Sequence, residues 1–103
     1  MNKKYLLKNA TIYDGSGSNP FKGNLLINNG KIEEIGDIDN VDAEVIDIKN
    51  KALSPGFIDM HAHDDIAMFV YPDMDFKLMQ GVTTNVNGNC GSGVIPHSSA
   101  DII

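Results

Sequence analysis

A chain of 103 residues, 42% hydrophobic and 21% charged, has the composition of an ordered globular protein rather than of a solvated tail. Its net charge of −6, with the basic residues scattered, excludes a surface built to neutralise nucleic-acid phosphates. Cys90 is the single cysteine, so no intrachain disulfide can form, and the reducing cytoplasm is the expected compartment.

Met1 to Leu7 is basic but breaks at Lys8-Asn9 before a signal-peptide core develops. No apolar run approaches the roughly 20 residues that span a bilayer, so no membrane partner is expected. Short β-type runs then follow at Tyr5 to Tyr13, Leu25 to Asn28, Lys31 to Ile35, Glu44 to Ile48 and Ala52-Leu53. Between the first two lies Asp14-Gly15-Ser16-Gly17-Ser18-Asn19-Pro20, a loop by composition. It is not a phosphate cradle, because no Gly-Lys-Ser/Thr follows and the next element is a strand. Asn28-Asn29-Gly30-Lys31 predicts a type I′ hairpin, since Asn-Gly tolerates the two positive φ angles that this turn needs. Residues 1–53 thus read as part of an antiparallel sheet or small β-sandwich whose other strands come from elsewhere.

At Ser54-Pro55-Gly56 the pattern changes, and residues 54–103 read as strand, helix, strand. Phe57 to His63 alternates, which puts Asp59, His61 and His63 on one face and Ile58, Met60 and Ala62 on the other. The apolar set suits the outer, helix-covered face of a barrel strand. Pro72 to Gly81 predicts a short helix with Pro in its first turn and Gly ending it. Val82 to Asn87 is β-branched and leads into Gly88-Asn89-Cys90-Gly91. This βαβ spacing predicts parallel strands and a right-handed crossover.

Histidines at i and i+2 of a strand stand roughly 7 Å apart at the backbone, and both rings can reach one ion. Asp59, two residues earlier, is placed to orient a histidine by accepting its second ring N–H. A bare His-x-His also occurs in purely structural roles, and Cys90 taken alone suits a buried free thiol as well as a metal ligand. Asp64 and Asp65 read as loop-capping or solvent-facing, His97 as an unpaired loop histidine, and Met68, Met74 and Met79 as packing residues.

The stretch Pro55-Gly56-Phe57-Ile58-Asp59-Met60-His61-Ala62-His63 resembles the first barrel strand of the amidohydrolase superfamily. Asp64-Asp65, Gln80-Gly81-Val82-Thr83-Thr84 and Gly88-Asn89-Cys90-Gly91 narrow the resemblance to the N-acyl-D-amino-acid deacylase, or D-aminoacylase, branch over nearly the whole chain. The resemblance implies an α/β chain: the N-terminal part of a small β-sandwich (1–53), then the first βαβ unit of a TIM-type (β/α)8 barrel (54–103), incomplete here. It implies that His61, His63 and Cys90 are metal ligands for one or two zinc ions, or another divalent metal, with Asp59 behind them. A general-base aspartate is expected further along, so no catalytic residue is assigned within these residues.

The implied reaction is metal-dependent hydrolysis of the amide bond of N-acyl-D-amino acids, small-molecule substrates. These 103 residues alone are expected to be inactive and, with open strand edges and an apolar Ile102-Ile103 end, to self-associate. Departures from the family pattern are Ala62 between the histidines, Asn85 and Asn87 in the second strand, and Ser92-Gly93 after the cysteine. Three alternatives stay open: a dihydroorotase-, hydantoinase- or deaminase-type amidohydrolase, a non-catalytic assembly or binding relative, and a stand-alone metal-binding module.

Overall fold

The central strand of the N-terminal half is the one whose neighbours differ in direction. In the computed structural model, which describes residues 3–93, β1 (Lys4–Ile12) pairs antiparallel with β2 (Phe21–Asn28), and β2 pairs antiparallel with β3 (Lys31–Gly36). On its other side β1 pairs parallel with β4 (Glu44–Asp47) and, further along, with β5 (Ala52–Leu53). The five-stranded sheet is therefore mixed, which corrects the expectation of an antiparallel one. After the β2–β3 hairpin, residues 37–43 carry the chain to the far edge of β1, and β4 then runs in the same direction as β1. No local sequence signal encodes that return, because the partners of β1 are set by where the crossing segment buries its apolar residues.

The crossing segment supplies the core. Ile38 packs with Leu6 and Leu26, all three nearly inaccessible, and Val41 and Ala43 close over them. Asn24 is buried beside this cluster with both ends of its amide used: Oδ1 accepts the Asn9 N–H at 3.0 Å and Nδ2 donates to the Ile38 carbonyl at 3.1 Å. Asn9 has φ 57, and the β1–β2 register shifts between Leu7 and Ala10. Opposite it, Lys49 and Asn50 also take positive φ where β4 gives way to β5. The bulge in β1 and the β4–β5 junction thus lie at one level, and backbone bonds Ile48 N to Lys8 O and Asn50 N to Asn9 O hold them together. Asn29 and Gly30, at φ 52 and 73, form the hairpin turn that Asn-Gly predicts.

The chain divides into two compact units between Pro55 and Gly56. In the second, β6 (Phe57–Asp59) pairs parallel with β7 (Val82–Asn85), joined through two single helical turns, α1 (Ala67–Val70) and α2 (Asp75–Leu78). Three expectations are corrected here. β6 ends at Asp59, not His63, because Asp59 Oδ1 accepts the His61 N–H and removes that donor from the ladder; pairing resumes with Ala62 N to Val86 O. The helix expected over 72–81 is only Asp75–Leu78: Pro72 sits second in a turn closed by Met74 N to Tyr71 O, the other position that its fixed φ favours. On the apolar face, Ala62 is buried but Ile58 and Met60 are 58% and 67% exposed. Gly81, with φ +84, ends α2 as expected. The described chain is mixed α/β with strands predominating, and none of its helices is long and apolar enough to cross a membrane. His97 and Ile102-Ile103 lie outside the described residues.

Candidate metal centre

The bend after β6 decides where the histidines point. His61 and His63 leave the regular alternation, yet their rings meet edge to face with centroids 5.3 Å apart. Cys90 reaches them from the 3-10 turn Asn89–Gly91 that follows β7. Its Sγ lies 3.5 Å from His61 Nε2, and the three ligand atoms of His61, His63 and Cys90 all lie within 4.8 Å of one another, on exposed side chains.

Cys90 is itself in the left-handed region, φ 56 and ψ 23, which a residue with a Cβ rarely adopts. Gly88 and Gly91 beside it take positive φ without that penalty, and Asn89 ties the turn down. Its Nδ2 donates to Val86 O at 2.7 Å and to Ala62 O at 3.1 Å. Ala62 lies between the two histidines, so one amide group links the cysteine turn to the histidine segment. Within Gly88-Asn89-Cys90-Gly91 the one sign of this role for Asn89 is a polar side chain inside a tight turn.

Asp59 does not meet an imidazole through the contact expected of it. Its Oδ1 accepts the backbone N–H of His61 at 3.2 Å, and its Oδ2 takes the Lys77 ammonium at 2.6 Å. Lys77 also pairs with Asp64 Oδ2 at 2.8 Å, so Asp64 is engaged and not merely solvent-facing. The Lys77 ammonium, then the His61 N–H, hold the Asp59 carboxyl below the usual carboxylate range, and Asp59 followed by Asp64 hold Lys77 above the usual lysine range. No sequence motif announces Lys77. Asn85 Oδ1, at the end of β7, and Asn87 Oδ1, just beyond it, are enclosed without a hydrogen-bond partner among the described residues.

The donor set fits zinc. Tetrahedral Zn–N and Zn–S bonds of about 2.0 and 2.3 Å separate nitrogen from sulfur by about 3.5 Å, the spacing seen between His61 and Cys90. Two imidazoles and a thiol, borderline and soft ligands, select zinc or a similar transition metal over magnesium or calcium.

Residues 44–102 match the model of the amidohydrolase family. The N-acyl-D-aspartate deacylase of Alcaligenes xylosoxydans xylosoxydans is 40% identical over 99 residues, covering 95% of this chain and 20% of the relative. The 5′-deoxyadenosine deaminase of Methanobrevibacter smithii is 49% identical over 84 residues, 79% of this chain and 19% of the relative. Among solved structures, a D-aminoacylase with a binuclear metal centre superposes with a TM-score of 0.87 at 38% identity, covering 94% of this chain and 21% of that one. The N-acyl-D-glutamate deacylase of Bordetella bronchiseptica, complexed with zinc and a phosphonate inhibitor, also gives 0.87, at 33% identity over 98% and 22%. The chain thus spans about a fifth of the length of these relatives. With the family model matched over more than half its residues and the deacylases alike in both sequence and backbone, this chain belongs to the amidohydrolase family, in its D-aminoacylase branch.

Proposed function

We propose that the full-length protein is a metal-dependent amidohydrolase that cleaves the amide bond of N-acyl-D-amino acids in the cytoplasm, and that His61, His63 and Cys90 hold one or two zinc ions. The observation that carries this reading is the convergence of the three donor atoms within 4.8 Å in a chain of this family. In the proposed architecture residues 1–53 belong to a small β-sandwich and residues 54–103 open a TIM-type barrel. The deacylase relatives, one of them complexed with zinc, support both the substrate class and the metal.

Zinc, when bound, supplies Lewis-acid polarisation of the scissile carbonyl and a water acidic enough to react near neutral pH. The chain's own residues hold and orient. His61 and His63 present ring nitrogens from one bent segment, and Cys90, fixed by Asn89, closes the set from the turn that follows β7. Asp59 and Asp64 are both committed to Lys77 and are poor candidates to move a proton. The family resemblance implies a proton-transferring aspartate on a later barrel strand, and these 103 residues by themselves are expected to turn nothing over and to self-associate.

The test is metal analysis and amide hydrolysis with the full-length protein on paired N-acyl-D- and N-acyl-L-amino acids. D-selective release of the amino acid, with zinc bound and both lost in Cys90→Ala, is the expected result. Full zinc content and activity in Cys90→Ala would remove Cys90 from the site. A second reading, deamination of a purine nucleoside, is favoured by the similarity to nucleoside deaminases. Ammonia release from 5′-deoxyadenosine, with no acyl-amino-acid cleavage, would establish it instead.

A further inference from the structure

The geometry points to Lys77 as a positioning residue of the metal centre, whose ammonium clamps the two carboxylates that bracket the histidine ligands and so fixes the bend that brings His61 and His63 together. This rests on the metal reading above. Asp59 lies two residues before His61 and Asp64 one residue after His63, so the ligand segment is enclosed between them. One ammonium from α2 contacts both, at 2.6 and 2.8 Å. The clamp is transmitted to a ligand on one side directly, because the second oxygen of Asp59 holds the His61 N–H.

Its setting makes the clamp more than a surface ion pair. The side chains of Lys77, Asp59 and Asp64 are 17%, 31% and 19% exposed, so solvent and salt screen them less than an open pair. Electrostatics adds a second effect. Without the ammonium, two carboxylates would flank two imidazoles with nothing to offset their mutual repulsion. Each would also be free to offer hard oxygen ligands to an incoming cation, in competition with the nitrogen and sulfur set. Lys77 therefore acts on geometry and on ligand choice without touching the ion.

Cobalt(II) substitution in the full-length protein reads this out, because thiolate-to-cobalt absorption reports Cys90 ligation and the intensity of the visible bands reports coordination number. Lys77→Met should weaken metal binding by about 10- to 100-fold, the usual effect of losing a group that orients ligands. Its visible bands should also fall in intensity as oxygen ligands enter. Lys77→Arg, which keeps the charge and can fork between two carboxylates, should recover most of both. Should Lys77→Met not fold, Asp64→Asn decides, since it releases one arm and keeps the contact with Asp59; a smaller loss in the same direction is expected. A folded Lys77→Met or Asp64→Asn protein with the affinity and cobalt spectrum of the wild type would overturn the inference. A wild-type protein without thiolate-to-cobalt absorption would instead overturn the metal reading, and the clamp with it.

Discussion

At the scale of single residues, the side chains that hold the candidate centre together are less visible in the sequence than those that line it. His61 and His63 announce themselves by spacing, and Cys90 by its glycine-flanked turn. Asn89 and Lys77 do not, because Ala62 and Asp59, the partners through which they reach the histidine segment, lie 27 and 18 residues away and no periodicity links them. Asn89→Leu should leave the Ala62 carbonyl without the donor Asn89 gives it, leave Val86 O with the Ala62 N–H alone, and release Cys90 from its left-handed conformation. We expect a loss of roughly 1–3 kcal/mol in stability and of about tenfold or more in zinc affinity, measured by competition with a chelator. Asn89→Asp is the sharper control, since it keeps the shape but faces both carbonyls with oxygen; wild-type zinc affinity in that variant would refute the role given to the amide.

The Asp59–Lys77 contact also has a predicted pH signature. A carboxyl held below its usual range contributes stability that is present above its unfolded value of about 3.9 and lost as pH falls through the lower folded one. A lysine held above its usual range contributes stability that is present below about 10.4 and lost as pH rises through the higher folded value. The stability difference between metal-free wild type and Lys77→Met should thus be flat from about pH 4 to about pH 10 and shrink on either side. Denaturant melts across that range provide the check, and a difference that varied steadily between pH 5 and 9 would assign the effect to other groups.

At the scale of elements, what was legible followed from local sterics, and what was hidden followed from distant pairing or from local bonds that compete with a strand. Asn29-Gly30 specified its hairpin because few residues accept two successive positive φ angles. The alternation through His63 was real as a pattern but did not make a strand of that length, because Asp59 captured the next available N–H. Pro72 was compatible with a helix start or with the second position of a turn, and the sequence around it does not choose. Gly56 is the element-scale feature with the most direct test. A Cβ there would overlap the Thr83 side chain, 2.7 Å from its Cβ, so β6 and β7 approach as they do only because position 56 has no side chain. Gly56→Ala should cost roughly 1–3 kcal/mol, as overpacking does. Combining it with Thr83→Ala should return much of that loss. Hydrogen exchange at Phe57 and Val86, whose amides bond across the strand pair, locates the damage; additive single and double variants would mean the two residues do not meet.

At the scale of the whole molecule, the question is what these 103 residues do when nothing else covers them. One face of the N-terminal sheet is closed by Ile38, Val41 and Ala43, but an apolar groove of about 300 Å³ runs over Leu7, Leu25, Ile27 and Ile35, and Ile32 at its rim is 62% exposed. The second unit exposes Phe57, Met60 and Phe69 at 59%, 67% and 70%. Against this stands a net charge of −6, which repels like copies. The balance predicts the response to salt. Apolar attraction is little affected by moderate sodium chloride, whereas repulsion between exposed charges is screened, with a Debye length falling from about 30 Å at 0.01 M to about 10 Å at 0.1 M. The isolated chain should therefore self-associate with rising protein concentration in sedimentation velocity, and more strongly in 0.1 M than in 0.01 M salt. Association through complementary ion pairs would show the opposite dependence. Ile32→Lys and Ile35→Lys, which place charge beside the groove, should shift the chain towards monomer, although they also lower the net negative charge. If both variants associate like the wild type, the N-terminal groove is not the contact, and the exposed aromatics of the second unit become the surface to substitute next.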